Sequence, residues 1–502
     1  MRTYVLILIW FLVSANACQN EKVAGAAQKI NRATELYEFD HSGAFPVNMD
    51  LFGQSTSHMF QVIDEVNDEI VSRIKNIGPR SLRFPGGTGS NFYHFYEKGY
   101  GFNVDDVDLS KGYEPYSKML KRIDLEKKRI DQGKAQENYA FKCLELSKEL
   151  DVPVVLVTNM FSGNDKENMS MVDLFVENGI EVRGIELGNE YYFKAYTSQF
   201  PDCEEYVGRC ISLVTKLRSK YPNIPVAVTA ANPPIGVAYS LKNRFVAWNE
   251  RLAQEDFYDA YIVHFYSKSP DCDELENIEE RFNCARSKNL RNQQLWSKDG
   301  LRYFQELFGN DKKIWLTEYN VKNVFKQYGN TAIQALYNAD LILDLMRNRS
   351  VDLAIYHNLL TSSYGFAMIN MTGSGLYDRV ATQTFKLFSH LNESYKVLPF
   401  SKVTKQDEFV EQLILYSEKE NKYLCYVVNQ GEDMISLRIP ENTSKRVELH
   451  GFNADKLYSG MGVNAFNKVE SDAGVYTYEQ ILEGDRIDLQ PYSFSVIEIF
   501  GR

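Results

Sequence analysis

Two short apolar runs in this chain each end on a glutamate. Gly184-Ile185-Glu186-Leu187-Gly188-Asn189-Glu190 stops at an Asn-Glu pair, and Lys313-Ile314-Trp315-Leu316-Thr317-Glu318-Tyr319-Asn320 reaches a second acid beside an aromatic. Two carboxyl groups flanking an acetal carbon can break it. One protonates the leaving oxygen while the other attacks the carbon, and water later releases the covalent intermediate. In that division of labour Glu190 is the general acid and base, which must hold a proton near neutral pH, and Glu318 is the nucleophile, which must stay ionised. The expected separation of the carboxyl groups is about 5 to 5.5 Å. Either half alone carries little, because Asn-Glu after a strand also caps helices and fills solvated turns.

Such a pair needs a scaffold that aims both acids into one hollow. From about residue 48, strand-like runs alternate with helical patterns, the rhythm of a parallel sheet with helices outside. Strands are predicted at 48–53, 81–84, 152–158, 184–187, 225–229, 260–265, 313–317 and 352–356. Eight is the number that closes a (β/α)8 TIM barrel, an α/β fold whose active sites lie at the C-terminal ends of its strands. Amphipathic spacing predicts helices over 59–75, 136–150, 203–221 and 332–347. Two long connections, 96–131 (with Tyr96, Tyr100, Phe102, Tyr113 and Tyr116) and 267–310, read as cleft walls or as irregular surface loops.

After about residue 392 the pattern changes to alternating strands at 411–417, 422–429, 434–439, 446–450, 454–458, 475–478 and 493–500, which reads as an antiparallel β-sandwich. It serves either to bind carbohydrate or to bury one flank of the barrel. The expected division is a signal peptide at 1–17, a linker or lipoprotein tether at 18–32, the catalytic barrel at 33–392 with 33–40 placed to join the sandwich, and the sandwich at 393–502.

The 502 residues, 44% of them hydrophobic, suffice for a large core and two or three domains. A net charge of −11 without long single-sign runs argues against nucleic acid and against an anionic membrane surface as partners, and weakly against a polyanionic substrate. Aromatic residues make up 13%, available for the core and for stacking on sugar rings. Arg2 followed by the apolar run Tyr4 to Val13 is too short to span a bilayer and suits a secretory signal, so the mature protein is expected outside the cytoplasm: periplasmic, on the cell surface or secreted. Ala15-Asn16-Ala17-Cys18 fits ordinary cleavage before Cys18 or lipidation of Cys18 as a membrane tether. Cys203 with Cys210, and Cys272 with Cys284, are close enough in sequence to staple loops, while Cys143 and Cys425 read as buried free thiols. No Cys/His spacing indicates a metal site, and no cofactor is expected.

These residues resemble the clan A glycoside hydrolases, retaining (β/α)8 enzymes with Asn-Glu after strand four and Glu after strand seven. Leu82-Arg83-Phe84-Pro85-Gly86-Gly87-Thr88 is similar to the second-strand motif of both the α-L-arabinofuranosidases and the heparanase-like β-glucuronidases. Leu51-Phe52-Gly53-Gln54 resembles the first strand of the former, and Glu186-Leu187-Gly188-Asn189-Glu190 the form found in the latter. The likeness runs through the mature chain to Leu489-Gln490-Pro491-Tyr492-Ser493-Phe494-Ser495-Val496. It implies that Asn189 hydrogen-bonds the sugar 2-hydroxyl and that Tyr266 holds Glu318. Arg83 would place a fixed charge beneath the carboxylates, or else pair with Glu186. Gly86 and Gly87 would admit the sugar close to backbone, or simply form a tight turn; His58 and His264 would line the site, or be buried and hydrogen-bonded. The chain lacks the dense basic clusters of an enzyme that grips heparan sulfate, and its Trp-Leu-Thr-Glu-Tyr-Asn motif matches neither family closely at its tail, which points to a substrate that neither uses. The expectation is a retaining O-glycoside hydrolase acting on a polysaccharide or oligosaccharide by double displacement; the competing class is a non-catalytic carbohydrate-binding protein on the same fold.

Overall fold

Eight parallel strands close into a barrel: β1 (Gly53–Ser55), β2 (Ser81–Phe84), β3 (Val154–Val157), β4 (Val182–Glu186), β5 (Val226–Thr229), β6 (Ala260–Ser267), β7 (Lys313–Val321) and β8 (Val351–Tyr356), with β8 pairing back onto β1. The computed structural model describes residues 33–35, 41–95, 101–102, 128, 132–133, 138–235, 239–322, 328–362, 365–373, 375–399, 408–439, 443–461 and 474–501. The expected signal peptide and tether at 1–32, residues 36–40, and Tyr96, Tyr100, Tyr113 and Tyr116 lie outside the described residues.

The first strand begins later than the sequence suggests. Asn48 accepts from the Asp50 amide at 3.0 Å and donates to the carbonyls of Val351 and Asp352, so 49–52 form a 3-10 turn and the strand starts at Gly53. A local Asx turn here overrides an apolar run. Similarly, the helix expected over 59–75 is a short turn at Met59–Gln61 followed by α1 (Asp68–Ile77), because Asn67 caps the Ile70 amide at 3.1 Å and sets the helix start there. The other helices are α2 (Tyr139–Leu150), α3 (Asp165–Glu177), α4 (Cys203–Lys220), α5 (Tyr239–Leu252), α6 (Ile278–Leu295), α7 (Leu301–Phe308), α8 (Ala332–Arg347) and α9 (Val380–Phe388). The connection 267–310 is thus largely helical, and it carries the Cys272–Cys284 disulfide. Cys203 and Cys210 are unbridged: both lie on α4, where seven residues rise about 10 Å, beyond disulfide reach. Cys143 and Cys425 are buried free thiols.

A small sheet of β9 (Leu360–Thr361), β10 (Ile369–Thr372) and β11 (Gly375–Asp378) follows the barrel. The C-terminal region adds β12 (Tyr395–Val397), β13 (Val410–Ser417), β14 (Lys422–Asn429), β15 (Ile435–Arg438), β16 (Thr443–Ala454), β17 (Val475–Glu483), β18 (Arg486–Leu489) and β19 (Ser493–Gly501). A seven-stranded antiparallel sheet runs β17-β16-β19-β14-β13-β12 and ends on Phe45–Pro46; a second sheet pairs β15 with β18 and, in parallel, with Ala33–Glu35. The strands expected at 446–450 and 454–458 are one strand, β16, followed by a turn whose Leu457 and Ser459 carbonyls accept from the start of α8.

Side chains alternate across the large sheet. Leu413, Leu415, Leu424, Tyr426, Phe494 and Val496 join the barrel core, whereas Ile414, Cys425, Val427, Val447, Ile497 and Ile499 meet Ile435, Leu437, Ile487 and Leu489 of the smaller sheet. One face of the sandwich therefore seals α8, which is buried on nearly every side.

That seal encloses an acid. Asp340 accepts from Gln293 Nε2 at 2.7 Å and Gln430 Nε2 at 3.0 Å; burial first, and the charge of Glu411 next, push its pKa up to about 7. The unfolded carboxyl releases its proton near pH ~4, so the folded state holds one more proton between pH ~4 and 7 and stability declines as pH rises across that window. Asp340→Asn is expected to remove this decline. Calorimetry from pH 5 to 8 should show the melting temperature of the variant rising relative to wild type as pH increases.

Candidate active site

Arg83, on β2 beneath the barrel mouth, ties the site together. Its Nε and Nη2 donate to the two oxygens of Glu186 at 2.8 and 2.7 Å, its Nη1 to Glu318 Oε1 at 2.9 Å, and Nη2 also to Asn189 Oδ1 at 3.0 Å. Arg83 and Glu186 are fully buried. The two sequence readings of Arg83 hold at once: it neutralises Glu186 and sets a charge beside Glu318.

Beyond β4 the chain turns sharply. Gly188 has φ +92°, and a Cβ there would fall 1.9 Å from the Tyr191 ring, so only glycine fits. Glu190 itself is left-handed (φ 54°), a conformation that costs a non-glycine residue roughly 1–2 kcal/mol. Asn91 clamps the turn, accepting from the Asn189 amide at 3.1 Å and donating to its carbonyl at 2.8 Å.

Glu318 does not follow its strand, as expected from the sequence, but lies within it, since β7 continues to Val321. Val263 faces Leu316 across the ladder while His264 faces Glu318, leaving Thr317 as an extra residue. Such a bulge re-aims the next side chain. Thr317 Oγ1 lies 3.3 Å from His264 Nε2.

The acids meet around His264. Its Nδ1 is 2.9 Å from Glu190 Oε1 and 3.7 Å from Glu318 Oε2, and one oxygen of each acid and a His264 ring nitrogen lie within 4.8 Å of one another. The Tyr266 hydroxyl donates to Glu318 Oε2 at 2.7 Å. Burial alone would raise the pKa of Glu318, but the charges of His264, His357 and Arg83 and the Tyr266 hydrogen bond outweigh it and hold the carboxyl well below the usual range. Arg83 is the partner charged at every pH, because burial pushes His357 down to about 4. For His264 burial opposes the charged form, yet Glu318 and Glu190 prevail and its pKa is raised.

Glu190, Glu318, Tyr266, His264, His58 and Gly87 line a single cleft of about 700 Å³, with Arg83 and Asn189 beneath it. Gly86 is not part of the lining: it sits behind, at φ +73°, where a Cβ would come 2.7 Å from Ser55 Oγ, so it serves the turn. Gly87, at φ +63°, faces Ser57 and His357. His58 Nδ1 is 3.3 Å from Gln61 Oε1. Sequence reasoning passed over His357, although it follows the end of β8 as Glu190 follows that of β4. It also missed Ser57, Trp296, Phe366 and the lysines of the lining. Among the described residues, Asn189 Nδ2, Ser57 Oγ and His357 Nδ1 are buried polar atoms without a hydrogen-bond partner, as suits a site shaped for a polar ligand.

Among the described residues, two groups converge closely enough to hold a metal ion, Glu190/His264/Glu318 and His390/His450/Glu498. Each already has a cation against a carboxylate oxygen, Arg83 at 2.9 Å from Glu318 and Lys422 at 3.0 Å from Glu498, which opposes a second one. Removing the phenol in Tyr266→Phe should raise the pKa of Glu318. Any reaction that needs Glu318 ionised is then expected to slow by about 10- to 100-fold, on the scale of one lost charged hydrogen bond, with its acidic pH limb displaced upward in a kcat/KM profile.

No protein-family model matches this chain, and no curated protein matches its sequence. Solved structures do match its fold. The GH51 arabinofuranosidase of Xanthomonas axonopodis pv. citri superposes with a TM-score of 0.64 at 15% identity, covering 91% of this chain and 97% of its own. An α-L-arabinofuranosidase from Thermotoga maritima, solved with arabinose, gives 0.63 at 19% identity over 90% and 97%. A 4-O-α-L-rhamnosyl-β-D-glucuronidase from Fusarium oxysporum 12S, solved with its Rha-GlcA ligand, gives 0.58 at 12% over 93% and 100%. At these identities the likeness establishes a shared architecture of barrel and β-sandwich.

Proposed function

We propose that this chain is a retaining glycoside hydrolase that cleaves a polysaccharide or oligosaccharide. The observation that carries the reading is the approach of Glu190 and Glu318 to within 4.8 Å through one oxygen each. That spacing suits the retaining arrangement, about 5–5.5 Å between carboxyl groups, rather than the about 6.5–9.5 Å that leaves room for an attacking water. The shared architecture with arabinofuranosidases and a rhamnosyl-glucuronidase supports it, without choosing the sugar.

In the first step Glu318 attacks the anomeric carbon and Glu190 gives its proton to the departing oxygen, leaving a glycosyl ester on Glu318. In the second, Glu190 takes a proton from water, whose oxygen displaces Glu318 with a second inversion. Arg83 and Tyr266 keep Glu318 ionised, and Asn189 Nδ2 is the donor free to meet the sugar 2-hydroxyl, a contact that strengthens as the ring flattens. We also propose that the apolar run at Tyr4 to Val13 acts as a secretory signal and directs the protein outside the cytoplasm, which N-terminal sequencing of the native protein checks by a start near Cys18.

The test is a panel of plant and algal glycans followed by proton NMR of the first product. Retained anomeric configuration is expected, and loss of most turnover in Glu190→Gln. An inverted first product would refute the mechanism. Glycan binding with no turnover on any substrate would favour the non-catalytic reading.

A further inference from the structure

Seven side chains in the cleft lining carry or can carry charge: Glu190, Glu318, His58, His264, His357, Lys268 and Lys322. The two acids and His264 are absorbed by the proposed reaction, His58 meets Gln61 at 3.3 Å, and His357 is held neutral by burial. The lysines are not accounted for. They leave the barrel on neighbouring strands, Lys268 just past β6 and Lys322 just past β7, and the Lys322 amide donates to the Ser267 carbonyl at 2.7 Å, which keeps the two ends side by side. Asn292 pins the same corner through Lys268 O at 2.8 Å and Ser267 Oγ at 3.1 Å. Lys322 Nζ lies 4.7 Å from the centre of the Tyr266 ring.

Neither ammonium forms an ion pair with a described carboxylate. Serving as counter-charges to the catalytic acids is a poor account of them, because Glu318 already has Arg83 at 2.9 Å and Tyr266 at 2.7 Å, and Glu190 has His264 at 2.9 Å. Desolvation, and then the charge of Lys322, lower the pKa of Lys268 while Glu190 raises it, so the two lysines repel each other and Lys268 feels the acid. Holding two like charges together on a cleft wall, in a protein of net charge −11, has a cost that an anionic ligand group would offset.

We infer that the cleft takes a glycan carrying an anionic group, a uronate carboxylate or a sulfate ester, which Lys268 and Lys322 hold. This rests on the glycosidase reading, which makes the cleft shared by Glu190, Glu318 and the two lysines the place where the glycan lies. Trp296, stacked on Phe265 at 4.7 Å, offers the glycan an aromatic wall in the same lining. Two lysines serve one acidic group per binding event, which reconciles the site with a chain that has no dense basic clusters.

A glycan array bearing neutral, uronate-containing and sulfated oligosaccharides, probed with the whole chain as Glu318→Gln to prevent turnover, tests this. Anionic glycans are expected to bind best, the uronate and sulfate arms telling which group is read. Adding K268M/K322M should weaken anionic glycans by about tenfold more than neutral ones, and the preference should fade between about 50 and 300 mM salt. The inference is overturned if neutral glycans bind best, if no class binds, or if K268M/K322M leaves anionic binding unaltered. Hydrolysis of a neutral glycan by the wild-type chain, lost in Glu190→Gln, would in that event leave the glycosidase reading standing; absence of hydrolysis on every glycan would remove both.

Discussion

Replacing Glu318 with Gln is expected to lower kcat/KM by on the order of 10⁴-fold or more, the scale seen when a nucleophile is removed from a site whose other groups remain. The fold should survive. Glutamine keeps the shape, still accepts from Arg83 Nη1 through its carbonyl, and presents its amide to the Tyr266 oxygen, while Arg83 stays neutralised by Glu186. Two further consequences separate a lost nucleophile from a general disturbance. His264 loses the largest charge that favours its protonation, so its pKa should fall, which proton NMR of the ring reads directly. Glu318→Ala, which opens space, should transfer the glycosyl group of an activated substrate to added azide with inverted configuration, because the azide attacks from the side that the carboxylate vacates. Wild-type turnover in Glu318→Gln would remove the proposed mechanism.

The barrel was legible because its strands are buried on both faces, and runs such as Val154–Val157 and Val226–Thr229 announce themselves without alternation. The rule that strand ends face the barrel mouth singled out both acids, and Glu190 does lie past the end of β4, whereas Glu318 lies inside β7. What stayed hidden was set by single polar residues or by neighbours. One Asn48 side chain turned an apolar run into a 3-10 turn, and one Asn67 cap relocated a helix start. β18 escaped notice because only Ile487 and Leu489 are apolar in a short charged stretch; its partner β15 makes it a strand. The bulge at Thr317 lies in the pairing between strands and has no signature within its own segment. Arg83 could be read as partner of Glu186 or of Glu318, and sequence offered no reason that one planar guanidinium should serve both.

That shared guanidinium gives the second large effect. Arg83→Leu leaves Glu186, with no exposure, and Glu318, 7% exposed, facing a barrel floor without its cation. Breaking a buried pair from one side costs about 3–5 kcal/mol, because the surviving charge is left uncompensated. The deficit should depend on pH with a definite sign. Without the cation it is the charged form of the buried carboxylates that is costly, so the loss should grow as pH rises and the carboxylates are called on to ionise. Urea unfolding at about pH 5 and pH 8 should therefore show the larger loss at pH 8. Arg83→Leu combined with Glu186→Leu removes both buried charges and is expected to recover most of the stability, since an apolar pair of similar volume can replace a buried ion pair with little penalty. It should not recover activity, for Glu318 would still lack the one charge that holds it ionised at every pH, and the acidic limb of kcat/KM would move upward. Recovery of both stability and turnover in the double variant would mean that Arg83 only neutralises Glu186; recovery of stability alone assigns it to Glu318 as well.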